Sequence, residues 1–587
     1  MSKIAAEVLI GRLADWGVDT VFGIPGDGIN GIMEGLRRNE DRVRFVLVHH
    51  EEAAAFMACG YAKSTGRLGV CLATSGPGAV HLLNGLYDAK LDHMPVLAIT
   101  GMQETQMLGT GYQQEVSTER LYMDVAHYNQ MIHTPVQVAT LVDLAVRNAL
   151  AYRTVSHLTM PTDVQVADAE LDPFGSVGPA AVKPTAAVYI PPTLVPREGD
   201  LRKAADVLQA GEKVVMLVGA GARRARAEVL EVAELLGSPI VKTLSGKDVV
   251  PDDHPLTTGG IGLLGTEPSE DAMENCDTLL MVGTNFPYTK FLPQPGAARV
   301  VQIEVDPSRA GNRLPTEVPL VGDAGETLAA LARILERKEE RSFLERAQSG
   351  MQDWNERMAA LATIEAEPIQ PQHLAKVVDE LANDDAILTS DSGTIATWAA
   401  RHFTIRDRRE FYLSGNLATM APGLPYAIGM QWAHPGRQCI AFVGDGGFAM
   451  LMAEFKTACR YKLPIKVVIN NNCSLGQIMW EQLVLGYPEF GIRFGDRLDY
   501  APWAEACGGK GIRVDKPGDL RGAISEAFSH DGPALVDVTI NADEPPMPAK
   551  VQYEQAKGFV KAFLRGQPRR ATIASTLFRD KITQLKS

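Results

Sequence analysis

No stretch of this 587-residue chain is apolar and long enough to span a bilayer, and no apolar signal segment stands at its start. Cysteine is scarce. Its seven residues (59, 71, 276, 439, 459, 473 and 507) are odd in number, scattered, and form no CxxC pair. That pattern excludes a disulfide framework or a zinc ribbon and fits reduced thiols in a cytoplasmic protein. Positive charge is also short: 57 Lys and Arg stand against 71 Asp and Glu, for a net charge of −14. Nucleic acid is therefore not an expected partner of the whole chain. Apolar material is ample, at 45% against 22% charged, so large cores can be buried. The length suggests three or four domains.

The most informative stretch is 439–476, CIAFVGDGGFAMLMAEFKTACRYKLPIKVVINNNCSLG. CIAFVG is short, apolar and closed by Gly444, as a buried strand would be. Phe448, Leu451, Phe455 and Ala458 recur at helical spacing, and IKVVIN reads as a second buried strand. Strand, helix, strand predicts two parallel strands with adjacent carboxyl ends, where open α/β sheets bind ligands. Asp445 and Asn472 fall at those ends. Gly446 and Gly447 let backbone approach a ligand at a helix N-terminus, which favours phosphate. An Asp, an Asn and a nearby carbonyl are hard oxygen donors suited to Mg²⁺ carrying a diphosphate. GDG alone makes many ordinary turns; GDG followed at this distance by an Asn run is far more specific. Cys473, inside the loop, reads as packing.

The first third alternates strands and helices: TVFGI, VRFVLV, LGVCLAT and PVLAIT, with helices from about Glu51 to Ala62 and from Ala79. That predicts a parallel sheet covered on both faces. His50-Glu51-Glu52 opens a helix, where acidic residues are ordinary, and SGPG is a tight turn. Taken in order, however, FGIPGD, HHEEAAAFMACGYA, ATSGPGAVHLLNGLYDA, MPVLAITG and the GDG…NN stretch resemble thiamine diphosphate enzymes of the pyruvate oxidase and acetolactate synthase superfamily. The resemblance covers nearly the whole chain. It implies three doubly wound parallel-sheet domains: pyrimidine-binding (1–175), central flavin-type (195–340) and diphosphate- and Mg²⁺-binding (365–545). A basic tail (551–587) follows. Residues 168–199, rich in Pro, Gly and Ala, read as a linker, and ERKEERSFLERAQ to about MAAL as a charged helical connector.

By the same resemblance Asp445, Asn472 and the Ser474 carbonyl hold the metal, beside Gly444, Gly446 and Gly447. Pro25, Gly26, Pro77, Gly78 and Asn84 border the cofactor. Glu51 matches the glutamate that touches the aminopyrimidine. A carboxyl in a dry pocket, its pKa raised by burial, can share a proton with that ring. Met420, in SGNLATMAPGLPYAIGM, matches the apolar support beneath the bent cofactor. TGGIGLLGTEPS, VGTNFPYTKFLP, QIEVDPSRAGN and PLVGDAGETL resemble the flavin-binding domain of bacterial pyruvate oxidases. They imply FAD against Gly219, Gly221, Gly262, Leu263, Thr284, Asn285, Phe286, Asp306 and Asp323.

Two positions depart from the family pattern. Gln113-Gln114 falls where an aromatic residue usually precedes Gln, and Gln477 falls where the relatives carry an apolar or aromatic residue. Gln114 is retained as a catalytic candidate, and two amides imply a polar pocket. The expected activity is oxidative decarboxylation of a 2-oxo acid, pyruvate at family level, with electrons passing through FAD to a quinone or other acceptor. The alternatives are an acetolactate synthase-like carboligase or decarboxylase with structural FAD, and an inactive regulatory relative. The expected assembly is a homodimer or homotetramer in which Glu51 of one chain serves the diphosphate site of another. The tail carries eight basic residues against two acidic ones, with apolar residues Phe559, Val560, Phe563 and Leu564 at helical spacing. It reads either as a helix docked on its own protein or as a peripheral contact with the inner face of an anionic membrane.

Overall fold

Three six-stranded sheets, every strand pair parallel, follow one another along the chain in a computed structural model that describes residues 3–169, 186–546, 549–550 and 553–586. The first sheet runs, in spatial order, Arg44–Leu47, Thr20–Gly23, Gly69–Ala73, Val96–Met102, Val155–Pro161, Tyr128–Met131. The third runs Glu410–Tyr412, Ile387–Ser390, Cys439–Gly444, Lys466–Asn471, Ala534–Thr539, Lys510–Val514. Counted within each domain, both have the order 2-1-3-4-6-5. The middle sheet runs Val318–Val321, Arg299–Glu304, Thr278–Val282, Val214–Val218, Ile240–Lys242, Thr257–Gly260. Its order, 3-2-1-4-5-6 read from the other edge, is that of dinucleotide-binding sheets. The doubly wound class expected from sequence is thus present three times.

Central strands such as Val214–Val218 and Cys439–Val443 are apolar without alternation because helices cover both faces. The short edge strands Glu410–Tyr412 and Lys510–Val514 carry no such run and left no clear trace in the sequence. The helix expected across 445–458 is two helices, Asp445–Leu451 and Glu454–Arg460. Its apolar spacing survives the break, since Phe448, Leu451, Phe455 and Ala458 are all buried in one core. The helix expected from Ala79 begins at Pro77. The expected linker falls largely on 170–185, outside the described residues; from Glu198 the chain is already helical. The charged connector is helical over Ser342–Ala362 only.

The first and third domains meet through helices Glu51–Thr65 and Gly423–Ala433, which share one core. Glycine is required at that crossing. A Cβ on Gly429 would lie 2.4 Å from the Met57 carbonyl oxygen, and one on Gly60 3.0 Å from Tyr426 Cα. Buried Lys63 reinforces the contact, donating to Asp92 at 2.7 Å, the Tyr426 hydroxyl at 2.7 Å and the Leu413 carbonyl at 2.8 Å.

The tail is docked. Helix Tyr553–Leu564 lies against helix Gly476–Val484, with Ala562 and Ile573 fully buried and the Trp480 and Phe559 rings 5.9 Å apart. Arg569 pairs with buried Asp543 at 2.7 Å, and Arg579 with Glu544 at 3.0 Å. The single apolar patch expected of Phe559, Val560, Phe563 and Leu564 is divided. Phe559 and Phe563 pack inward, while Val560 and Leu564 are 60% and 82% exposed. Side chains of 581–587 lie outside the described residues.

Candidate active site

In each sheet a reversal of strand order beside the first strand opens a crevice of the kind where ligands enter. In the third sheet it opens between Ile387–Ser390 and Cys439–Gly444, so Asp391 and Asp445 emerge side by side. Gly444 pairs in register with Asn470, which brings Asn472 and Ser474 to the same edge. Asp445 is 5% exposed. Burial lifts its carboxyl to about 7, against backbone N–H groups of Asn472, Asp445, Cys473 and Gly446 that pull it down. Asn472 Oδ1 accepts from Ser474 N at 2.9 Å and Ser474 Oγ at 3.1 Å, which fixes the loop. Met420 and the ring of Phe494 flank Gly446, 3.4 and 2.9 Å from where a Cβ would stand.

Asp391 escaped the sequence reading, although LTSDSG is also a buried strand followed by Asp and Gly. Burial raises its carboxyl to about 7 despite the Gly423 N–H it accepts at 2.8 Å, and its Oδ2 has no partner. Both amide atoms of buried Asn470 also lack partners. Asp391, Asn470, Asp445, Asn472 and Ser474 all border one cavity of about 1700 Å³. Buried polar groups without protein partners call for a polar ligand. Carboxylate, amide and carbonyl oxygens could together hold a hard divalent cation and the diphosphate it carries.

The same cavity continues into the reversal point of the middle sheet, bordered by Gly221, Gly262, Leu263, Thr284, Asn285, Phe286, Asp306 and Asp323. Gly219 lies outside it: a Cβ there would meet Thr284 at 2.6 Å, so this glycine serves strand-end packing. Asp323 caps helix Ala324–Ala332 by accepting Glu326 N–H, and Asp306 accepts the Ser308 N–H and hydroxyl. Both carboxylates thus have local roles besides facing the cavity.

In the first sheet the reversal lies between Thr20–Gly23 and Gly69–Ala73, which brings Gly26 against Thr74 and sets Gly78, at the start of helix Pro77–His81, beside Thr74 and Glu51. Glu51 opens its helix, capped by His50, and accepts from His81 Nδ1 at 2.9 Å. Asn84 donates to Glu52 at 2.7 Å and to Thr419 at 3.2 Å. Gln114 accepts from Ser75 Oγ at 3.2 Å. Glu454, fully buried, accepts the N–H groups of His49 and His50, so the third domain fixes the start of the Glu51 helix. Glu51, Pro25, Gly26, Pro77, Gly78, Asn84 and Gln114 do not border the large cavity. One chain therefore presents the expected site in two separate halves.

Three family models match in the order of the sheets: the N-terminal TPP-binding domain of thiamine pyrophosphate enzymes over residues 4–121, the central domain over 201–331 and the C-terminal TPP-binding domain over 391–538. The chain belongs to the thiamine pyrophosphate enzymes. This thiamine pyrophosphate enzyme is 42% identical over 563 residues to a Bacillus subtilis (strain 168) protein named provisionally as thiamine pyrophosphate-containing, covering 96% of each chain. It is 32% identical over 561 residues to the pyruvate oxidase of Lactiplantibacillus plantarum, covering 94% of this chain and 91% of that one. To the acetolactate synthase of Mycobacterium bovis it is 31% identical over 561 residues, covering 92% and 88%. It thus lies within the pyruvate oxidase and acetolactate synthase group, with thiamine diphosphate as the group's cofactor.

Proposed function

We propose that this enzyme oxidatively decarboxylates a 2-oxo acid of the pyruvate class, using thiamine diphosphate, Mg²⁺ and FAD, and passes the electrons to a quinone or other acceptor. The observation that carries the reading is the single cavity joining the Asp445–Asn472 crevice to the crevice of a middle sheet with dinucleotide-binding order. Thiamine diphosphate supplies a carbon nucleophile for the 2-oxo group, and FAD a two-electron acceptor. Asp445, Asn472 and the Ser474 carbonyl hold the metal and diphosphate, with Asp391 and Asn470 beside them. Met420 supports the cofactor's bend. Glu51 acts as the acid–base partner of the aminopyrimidine nitrogen, and His81 orients its carboxyl. Gln114 lies with Pro77 and Gly78 on the Glu51 side.

In this reading two chains build each site. The Glu51 half borders a different surface from the diphosphate half, and a second copy brings them together in a homodimer or homotetramer. Exposed Leu485, Tyr487, Phe490 and Leu498 follow the diphosphate half in sequence and suit burial in such an assembly. The docked tail leaves Val560, Leu564 and Phe578 facing outward, consistent with a membrane contact made from the docked position.

The test is anaerobic mixing of holoenzyme with a panel of 2-oxo acids. Carbon dioxide release with bleaching of flavin absorbance is expected. Carboligated product without bleaching would replace the oxidase reading with that of an acetolactate synthase-like enzyme.

A further inference from the structure

Helix Thr394–His402 runs from the diphosphate crevice to the middle domain. At its start Asp391, Ser392, Gly393 and Thr394 border the cavity beside Asp445. Gly393 turns the chain into the helix at φ 124°, a backbone conformation that residues with a Cβ rarely adopt. Near the other end, about 12 Å on, the guanidinium of Arg401 donates to the carbonyl oxygens of Leu264, Leu263 and Gly265, at 3.4, 3.3 and 3.2 Å. Those residues form the loop between strand Thr257–Gly260 and helix Glu267–Asn275, where Gly262, Leu263 and Leu264 border the middle-domain side of the same cavity. The Leu264 side chain packs on the third-domain core that also holds Ile395, Ala396, Trp398 and Ala399 of this helix. The loop is thus gripped by its backbone and by a side chain. Trp354 lies against both Arg401 and Arg357, with its ring 5.6 and 5.3 Å from the two guanidinium groups, but Arg357 comes from the connector helix and pairs with Glu267 at 2.6 Å.

We propose that this helix couples the two cofactor pockets: filling the diphosphate crevice raises the affinity for FAD, and Arg401 carries the effect as a positioning residue. The inference rests on the two-cofactor reading above and adds to it a dependence of one pocket on the other. A diphosphate favours the N–H groups of a helix start, so its binding orders the first turn of Thr394–His402. A loop gripped by an ordered helix loses less freedom when its own ligand arrives. By linkage, FAD must raise the affinity for thiamine diphosphate by the same factor. An arginine that only joins two domains would change FAD affinity equally whether or not the crevice is filled.

The test is calorimetric titration of FAD into the cofactor-free full-length protein, with and without saturating thiamine diphosphate and Mg²⁺. Wild-type affinity is expected to rise about tenfold when the crevice is filled, within the usual range for coupled sites. In Arg401→Met that ratio should fall close to one, with melting curves reporting that the fold is kept. Arg401→Lys keeps the charge but not the guanidinium fork, and should retain part of the ratio. Arg357→Met should keep the full ratio even where FAD binds more weakly in both conditions. Equal affinity in the two conditions for the wild type, or the full wild-type ratio in Arg401→Met, overturns this inference and leaves the proposed function standing. Should Arg401→Met fail to fold, Arg401→Lys decides: a reduced ratio supports the coupling and an unchanged one overturns it. No FAD binding to the wild type in either condition overturns the FAD reading together with the coupling.

Discussion

The first and third sheets have the same strand order, yet different residues stand at their reversal points. In the third, both strands at the reversal point are followed by a buried Asp. Burial lifts Asp391 and Asp445 alike to about 7. In the first, the equivalent strands run into Pro- and Gly-containing turns, where Asp27 accepts the neighbouring Gly28 N–H, and a further carboxyl comes from a helix start, Glu51 beside His81. Under the proposed function, one fold supplies a cation-binding edge in one place and an acid–base edge in the other. Residues just beyond the strand ends decide which, as expected when function resides in sites rather than folds.

If that division is right, damage to the two halves should look different. Glu51→Gln should lower turnover by about 10²–10⁴-fold, the usual range for removing an acid–base group, while thiamine diphosphate still binds. Steady-state rates paired with calorimetric titration of the cofactor check this, and near-normal turnover would remove Glu51 from the chemistry. Asp445→Ala should do the reverse. Mg²⁺ and cofactor affinity should fall by about a hundredfold, at the upper end of what disturbing a metal's surroundings costs. Normal titration into this variant would show that the metal lies elsewhere.

A smaller effect separates Asp391 from a plain structural acid. In the cofactor-free protein its carboxyl titrates near 7, above the usual value near 4 that it regains on unfolding. The native state therefore holds a proton that the unfolded chain releases. That stabilisation is complete below about pH 4 and is lost as pH rises through about 7. Asp391→Asn keeps an acceptor for the Gly423 N–H and removes the loss. The variant should melt a few degrees above wild type at about pH 8 and close to it at about pH 4. An equal shift at both pH values would mean that the carboxyl does not titrate as its burial implies.

The metal loop was legible because CIAFVG and IKVVIN are unbroken apolar runs ending in Asp and Asn, a pattern that burial between two helical layers imposes. Glu51 was legible only through the order of its neighbouring motifs; by itself it is an acid at a helix start. Asp391 gave no signal, since Asp-Ser-Gly after a strand is also an ordinary turn, and only the crevice distinguishes it. The tail was half legible. Its helical spacing holds, but which side faces the protein depends on residues outside the tail, Trp480 and Asp543. Nothing local could reveal that the two halves of the site do not share a cavity within one chain. That is a property of how helices Glu51–Thr65 and Gly423–Ala433 cross, and so of tertiary packing.

The division of labour between the two like-folded domains is tested most directly by mixing Glu51→Gln with Asp445→Ala under conditions that allow subunits to exchange. Each mixed dimer would hold one doubly damaged site and one intact site, so random exchange should restore about a quarter of wild-type activity from two nearly inactive proteins. Failure to recover any activity despite proven exchange, or full activity in a demonstrably monomeric wild type, would contradict a site built from two chains.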